Sequence, residues 1–262
     1  MIGAIIGDIV GSRFEFNNYR SKDFELFGPG CIYTDDSVMT IAVAKALRLS
    51  DKDFLDLSAL AIKCMQEYGR AYPYCGYGGS FFHWIFSEDP KPYGSYGNGA
   101  AMRISPVGWI SDDMEQVKRL SKAVTAVSHD HPESIKGAES VATAILLARK
   151  GKSMEEIKDY INRNYYKIDF TLDQIRDSYQ FDESCQGTLP QAFQAFFESV
   201  DYEDALRNAV SVGGDSDTMA CIAGGIAEAY YGVPENLIDK AFEILPQSLT
   251  EEVELFLKKL KE

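Results

Sequence analysis

The chain has 262 residues, of which 45% are hydrophobic, so it can bury one large core, and we expect a single domain over residues 1–262. Lys and Arg number 26 against 40 Asp and Glu, and a surface with a formal charge of −14 repels phosphate backbones, which excludes duplex nucleic acid as a partner. The five cysteines form no CxxC pair and no apolar run reaches a membrane span of about 18 residues, so a cytoplasmic monomer without membrane association is expected.

The first predicted element is an apolar helix at the N-terminus, in the stretch MIGAIIGDIVGSRFE. Gly3, Gly7 and Gly11 recur every fourth residue and form a bare stripe, which lets another helix approach closely. Glu15 lies one further step along this stripe, and it is either a solvated acid at a helix end or part of a carboxylate cluster. Because the stretch has no basic leader and carries Asp8, it is not predicted to be a signal peptide.

A second helix begins at an acidic turn, YTDDSVMT (Tyr33–Thr40), directly before the apolar run Ile41–Leu47. An Asp or Thr at a helix start contributes roughly 1 kcal/mol as an N-cap. A cap needs only one such residue, so the pair Asp35 and Asp36 calls for a further explanation.

The middle and the end of the chain are predicted to be helical. Apolar residues recur with helical spacing, two capping boxes indicate helix starts, and period-2 alternation is missing, so the predicted fold class is all-α. Helices are predicted over Asp53–Gly69, Ile135–Leu147, Leu189–Val200, Glu203–Val210, Met219–Tyr231 and Glu235–Leu245. A further helix is indicated by an apolar face formed by Val117, Leu120, Val124 and Val127. The two capping boxes, Ser153 with Glu156 and Ser248 with Glu251, predict two more helix starts.

A Gly- and Tyr-rich region interrupts this pattern, with YPYCGYGGSFF (Tyr72–Phe82) and KPYGSYGNGAAM (Lys91–Met102). Long irregular segments in compact domains are usually functional or disordered, and the aromatic content argues against disorder. Bare backbone N–H groups at glycines suit an anionic ligand, although a lone glycine pattern is also typical of a tight turn.

A second acidic turn, with Asp215, Asp217 and Thr218, again leads into a helix of small apolar residues. Several carboxylates in one buried place repel each other unless cations lie among them. Hard oxygen ligands suit Mg²⁺, Mn²⁺ or Ca²⁺, and the absence of nearby Cys or paired His argues against zinc. The alternative is that each acid is an ordinary N-cap.

Five motifs occur in the same order as in the ADP-ribosylglycohydrolases, and the chain resembles this family from residue 1 to about residue 232. The resemblance implies an all-α fold, a compact orthogonal arrangement of helices, and a centre of two divalent cations, Mg²⁺ or Mn²⁺. The motifs are GDIVGSRFE (7–15), YTDDSVM (33–39), GSYGNGAAMR (94–103), SHDHPESIKGA (128–138) and GGDSDTMACIAGGIAEA (213–229).

The same resemblance implies a role for individual residues. Glu15, Asp35 and Asp36 are expected to be catalytic. The expected metal ligands are Thr34, Asp35, Asp36, Asp215, Asp217 and Thr218. The expected contacts to the diphosphate and ribose of ADP-ribose are Gly78, Ser95, Tyr96, Gly97, Asn98, Gly99 and His129.

The expected activity is hydrolysis of the bond between ADP-ribose and an acceptor on an ADP-ribosylated protein or a small conjugate. GSYGNG resembles the loop of the serine- and polymer-directed branch, whereas short bacterial relatives are presumed to act on arginine. The alternatives are a non-catalytic ADP-ribose-binding or crystallin-like relative, and a metal hydrolase of another nucleotide-sugar bond.

Overall fold

The computed structural model describes all 262 residues, and they form helices without a β-sheet, which confirms the all-α prediction. An isolated bridge between Gly97 and Ser184 is the one strand-like pairing. The α-helices are α1 (Ile2–Gly11), α2 (Asp35–Leu49), α3 (Leu57–Ala71), α4 (Gly79–Phe86), α5 (Gly99–Met102), α6 (Ser105–Ile110), α7 (Met114–Thr125), α8 (Pro132–Arg149), α9 (Met154–Asn164), α10 (Leu172–Ile175), α11 (Cys185–Phe197), α12 (Tyr202–Val210), α13 (Ser216–Tyr231), α14 (Glu235–Ile244) and α15 (Gln247–Lys259), with a 3₁₀ turn at Ser12–Phe14 after α1.

Helix α13 lies at the centre of the molecule. It packs against α1, α8, α11 and α12, and every residue from Ser216 to Glu228 is buried. Its sequence is rich in Ala and Gly, and such small side chains let neighbouring helices approach on several sides. The surrounding hydrophobic core is one continuous cluster that extends from Met1 to Phe256.

The glycine stripe of α1 packs closely against another helix, as predicted, and that helix is α13. A Cβ atom at Gly7 would lie 2.0 Å from the carbonyl oxygen of Ala220, and one at Gly11 would lie 2.5 Å from the Cα atom of Asp217. Only glycine permits this backbone-to-backbone contact. It holds the end of α1, and Glu15 just beyond it, beside the start of α13.

Helix α4 lies within the region predicted to be irregular. Phe81, Trp84 and Ile85 are buried on one of its faces, and the Trp84 indole N–H donates to the Val127 carbonyl at 3.1 Å. The spacing of these three residues is that of a helix face, but the flanking glycines and tyrosines obscured it. No helix of the structure is both long enough and apolar enough to cross a membrane.

The two predicted capping boxes have different outcomes. Ser153 and Glu156 form the reciprocal bonds of a capping box at the start of α9, as predicted. The prediction at Ser248 and Glu251 is wrong, because α15 already begins at Gln247 after Pro246. The Ser248 hydroxyl instead lies 2.6 Å from the Tyr72 hydroxyl.

Candidate active site

The two acidic turns meet at the start of α13, although they are far apart in the sequence. Carboxylate oxygens of Asp8, Asp36 and Asp217 lie within 4.8 Å of one another, and so do those of Glu15, Asp215 and Asp217. Asp217 belongs to both trios. Five carboxylates from three segments therefore form one acidic cluster, which we call the carboxylate cluster.

Asp8 is the member of this cluster that the sequence analysis did not select. It is fully buried on α1, and its carboxylate accepts from the Thr34 amide at 2.9 Å, the Thr34 hydroxyl at 2.6 Å and the Ser37 amide at 3.1 Å. The Ser37 hydroxyl also donates to it. Asp8 thus anchors the first acidic turn to α1.

Thr34, not an aspartate, caps α2. Its hydroxyl oxygen accepts from the Asp36 amide at 3.3 Å, so neither Asp35 nor Asp36 is needed as the cap. The Thr218 hydroxyl donates to Asp36 Oδ2 at 3.3 Å and joins the two turns, while Asp36 Oδ1 is buried with no hydrogen-bond partner. The carboxylates are thus free for another role.

Asp35 lies at the edge of the carboxylate cluster. Its amide donates to the Cys75 carbonyl at 2.7 Å, and its Oδ1 would lie 3.4 Å from a Cβ atom at Gly76. Asp35 belongs to neither trio. It therefore faces the segment that leads into α4.

Burial and mutual repulsion raise the pKa values of these acids. Burial, followed by the charges of neighbouring carboxylates, raises the pKa of Asp35, Asp36 and Asp217 well above the usual range. Burial and the charge of Asp215 raise the pKa of Glu15 to about 7. No Lys or Arg forms a salt bridge with any carboxylate of the cluster.

The donor set suits a hard divalent cation. The cluster offers carboxylate and hydroxyl oxygens with no Cys or His among them, which are the ligands that Mg²⁺, Mn²⁺ and Ca²⁺ prefer. Asp36 Oδ1 is buried without a hydrogen-bond partner, and a bound cation would satisfy it. The residues present therefore fit a metal centre.

The stability of the metal-free protein should depend on pH through these acids. Because the folded state binds their protons more tightly than the unfolded state, their contribution is fully present below about pH 4 and is lost as the pH rises through their folded-state pKa values, which for Glu15 is about 7. Asp36→Asn removes one such group and should flatten the decline. The decline is measured as the melting temperature of the wild type and of Asp36→Asn from pH 4 to 8 in the presence of chelator. Equal slopes for the two proteins would show that Asp36 does not contribute to the pH dependence.

In the loop Ser95–Gly99, which we call the glycine loop, several backbone N–H groups are unpaired, whereas carbonyl oxygens accept hydrogen bonds within the protein. Its carbonyls at Ser95 and Gly97 accept from the Ser134 hydroxyl, at 2.9 and 3.2 Å, and that of Tyr96 accepts from the Cys185 amide at 2.9 Å. The amides of Ser95, Tyr96 and Gly99 have no acceptor within the protein. The loop can therefore receive an anion.

Asn98 connects the glycine loop to the carboxylate cluster. Its side-chain amide is buried and donates to Asp215 at 2.6 Å and to the Thr188 hydroxyl at 3.0 Å. Its backbone amide donates to the Glu183 carbonyl at 2.8 Å. The Asn98 side chain thus points to the acids, whereas the neighbouring Tyr96 ring is 53% exposed.

His129 lies between the glycine loop and α4. The buried imidazole of His129 packs edge-on against Phe81 of α4, with ring centroids 5.8 Å apart. Its Nε2 would lie 3.3 Å from a Cβ atom at Gly99. Gly78, exposed at the N-cap of α4, belongs to the segment that also contacts Asp35.

The chain is similar to known proteins of one family. The family model described as ADP-ribosylglycohydrolase matches residues 1–261. The chain is 26% identical to ADP-ribosylhydrolase ARH3 of Homo sapiens, over 90% of this chain and 86% of that protein. It is 25% identical to ADP-ribosyl-[dinitrogen reductase] glycohydrolase of Rhodospirillum rubrum, over 89% and 85%.

The fold is also found among solved structures. A chain of an ADP-ribosylglycohydrolase-related protein complex superposes with a TM-score of 0.70, over 98% of this chain and 95% of that one, at 21% identity. The family match spans nearly the whole chain, and it agrees with the resemblance drawn from the five motifs. The chain belongs to the ADP-ribosylglycohydrolase family of glycosidic-bond hydrolases.

Proposed function

We propose that this chain is a divalent-metal-dependent hydrolase that cleaves the glycosidic bond between ADP-ribose and an acceptor and releases ADP-ribose. The acceptor is an arginine or serine side chain of a protein, or a related small conjugate. One observation carries this proposal: Asn98 joins the glycine loop directly to Asp215, so donors for an anion and a cluster of acids share one cleft.

Two Mg²⁺ or Mn²⁺ ions are the proposed cofactors, because two carboxylate trios share Asp217. The proposed ligands are Thr34, Asp35, Asp36, Asp215, Asp217 and Thr218. When bound, such ions polarise the oxygens that coordinate them and help to orient the ribose hydroxyls and a water. Asp8 supports this centre by accepting hydrogen bonds from Thr34 and Ser37.

The remaining residues bind and orient the substrate. The free amides of the glycine loop receive the diphosphate, and the exposed ring of Tyr96 offers a flat face to the nucleotide. His129 contacts the ribose, and Gly78 lines the same cleft. Asn98 stays a proposed ligand contact, and its side chain positions the loop through Asp215 and Thr188.

Glu15 handles the proton in this proposal. Its carboxylate lies within 4.8 Å of oxygens of Asp215 and Asp217 and is only half buried, so it faces both the cluster and the cleft. From there it can take a proton from the attacking water or give one to the leaving group. The surrounding carboxylates stabilise the positive charge that develops on the sugar.

Release of ADP-ribose from defined substrates tests the proposed function. Arginine-, serine- and poly-ADP-ribosylated substrates are incubated with Mg²⁺, Mn²⁺ or chelator, and free ADP-ribose is measured. Release from at least one substrate that stops in chelator is the expected result. Binding of ADP-ribose without release from any substrate would instead identify a non-catalytic binder.

Asp217→Asn should lower Mn²⁺ affinity at least tenfold, because even residues that only support metal ligands contribute about 10–100-fold. The fold should survive, because Asp217 Oδ1 accepts from the Thr218 amide at 2.9 Å and an asparagine oxygen can accept the same bond. Calorimetric titration measures the change. Asp239→Asn, an exposed site on α14, removes the same charge and should change nothing. Equal Mn²⁺ affinity in the two variants would exclude Asp217 as a ligand.

Gly99→Val should abolish the rise in melting temperature that ADP-ribose produces in the wild type. The valine side chain would start 3.3 Å from His129 Nε2, in the space proposed for the ligand. Because ligands stabilise only the state they bind, the wild-type shift should grow with ligand concentration. Stabilisation by Mn²⁺ should persist and shows that the variant is folded. A full ADP-ribose shift in Gly99→Val would place the ligand elsewhere.

A further inference from the structure

Arg103, directly after α5, is a fully buried arginine without an acidic partner. It forms no salt bridge, and its Nε and Nη1 atoms are buried with no hydrogen-bond partner. Its guanidinium lies 5.1 Å from the centre of the Phe81 ring. Burying an unpaired charge is costly, so an arginine in this environment calls for a functional explanation.

Only the third guanidinium nitrogen of Arg103 has polar partners. Nη2 donates to the Ser128 hydroxyl oxygen at 2.8 Å and lies 3.4 Å from His129 Nδ1. The Ser128 hydroxyl oxygen itself lies 2.9 Å from His129 Nδ1. Because arginine has no acceptor, both the Ser128 hydroxyl oxygen and His129 Nδ1 must accept from Nη2, and the Ser128 proton is available to Nδ1 as well.

This chain of contacts determines which nitrogen of His129 carries the proton. Both neighbours of Nδ1 act as donors, so Nδ1 is the acceptor and the proton of the neutral imidazole is on Nε2. Burial and the charge of Arg103 lower the pKa of His129 well below its usual value, which keeps the ring neutral. Nε2 would lie 3.3 Å from a Cβ at Gly99 and 3.9 Å from one at Gly97, so its N–H faces the glycine loop.

We propose that Arg103 is a positioning residue that, by its own contact with Nδ1 and through Ser128, fixes His129 as an Nε2–H donor to the ligand held at the glycine loop. This inference rests on the proposed function, since ADP-ribose is the ligand in question. The edge-on rings of Phe81 and Tyr93 hold the imidazole plane, with centroids 5.8 and 5.5 Å away, and Arg103 sets its protonation. Arginine suits this task because it stays a donor at any physiological pH.

The tautomers of the three histidines provide a direct test by ¹⁵N NMR of the free protein near pH 8. His129 is expected to carry its proton on Nε2. His131 should do so too, because its Nδ1 accepts from the Glu133 amide at 3.2 Å, independently of Arg103. His83 should carry its proton on Nδ1, which lies 2.7 Å from the Gly79 carbonyl. A wild-type His129 protonated on Nδ1 would overturn the proposal without any variant.

Arg103→Met then tests the residue itself. Without the Arg103 N–H beside it, Nδ1 can carry a proton and donate it to the Ser128 hydroxyl oxygen, so Nδ1–H should appear at His129 while His131 is unchanged. ADP-ribose affinity should fall about two- to tenfold, the value of one hydrogen bond to an uncharged group such as a ribose hydroxyl. Stabilisation by Mn²⁺ shows whether Arg103→Met is folded. If this variant does not fold, the tautomer of His129 in the wild type is the measurement that tests the proposal.

Arg149→Met is the matched control. Arg149 donates to the carbonyls of Gly108 and Ser111, at 2.8 and 3.0 Å, and does not contact His129. Neither the His129 tautomer nor ADP-ribose affinity should change in it. An unchanged tautomer and affinity in folded Arg103→Met would refute the role of Arg103. Wild-type protein that binds no ADP-ribose would refute the proposed function, while the tautomer measurements would still decide whether Arg103 orders His129.

Discussion

Glu15→Gln is expected to lower turnover at least about a hundredfold, because general acid–base help is typically worth 10²–10⁴-fold. The substitution keeps the size of the side chain and removes its capacity to transfer a proton. Since Glu15 lies beside Asp215 and Asp217 and not on the glycine loop, the affinity for ADP-ribose should change little. Steady-state release of ADP-ribose and calorimetric binding measure the two quantities.

Two comparisons separate proton transfer from metal binding at Glu15. Glu254→Gln on α15 is an exposed control with the same change of charge, and its turnover should equal that of the wild type. Saturating Mn²⁺ should not restore Glu15→Gln if the residue moves a proton. Recovery of most of the rate at high Mn²⁺ would mean that Glu15 only helps to hold the metals, and that another base serves the water.

Gly7→Ala is expected to lower the free energy of unfolding by about 3 kcal/mol or more, at the upper end of the usual cost of overpacking a core. The added methyl would lie 2.0 Å from the carbonyl oxygen of Ala220, and neither backbone can move without separating α1 from α13. For a chain of this size the melting temperature should fall by roughly 6–12 °C.

A neighbouring glycine of the same interface provides the control. A Cβ atom at Gly225 would lie 3.3 Å from Ala4 Cβ and 3.4 Å from Ser105 Cβ, so small shifts can accommodate it. Gly225→Ala should therefore cost much less than Gly7→Ala, as measured by urea unfolding. Equal losses of unfolding free energy in the two variants would show that the α1–α13 interface adjusts to a methyl group at either position and that the close contact at Gly7 is not especially costly to disturb.

The sequence was most informative where a pattern is local. Helical spacing predicted α3, α7 and α8, and the repeated acidic turns pointed to a cluster that the fold does assemble. The stripe at Gly3, Gly7 and Gly11 predicted a close helix contact but not its partner. That partner lies about 200 residues away, and no local pattern identifies it.

The residues that were missed act through contacts between distant segments. Asp8 looked like an interruption of an apolar helix, and its role depends on Thr34 and Ser37, which lie on another element. The acid in an otherwise apolar, glycine-striped helix was the available signal, because a buried carboxylate needs partners. From the sequence, Asn98 was assigned the same role as the rest of the glycine loop. Its hydrogen bond to Asp215 depends on the tertiary fold and could not be predicted from the local sequence.

The pairing of α1 with α13 also has a consequence for the order of events during synthesis. All ten residues of α1 are buried in the finished protein, largely by a helix that begins at Ser216. At about 5–20 residues per second, the ribosome needs roughly 10–40 s to make the intervening chain. During that interval the apolar N-terminal segment lacks its main partner, α13, and the carboxylate cluster cannot assemble. Nascent chains that stop before α13 should therefore be prone to aggregation and bind chaperones, whatever the stability of the completed fold.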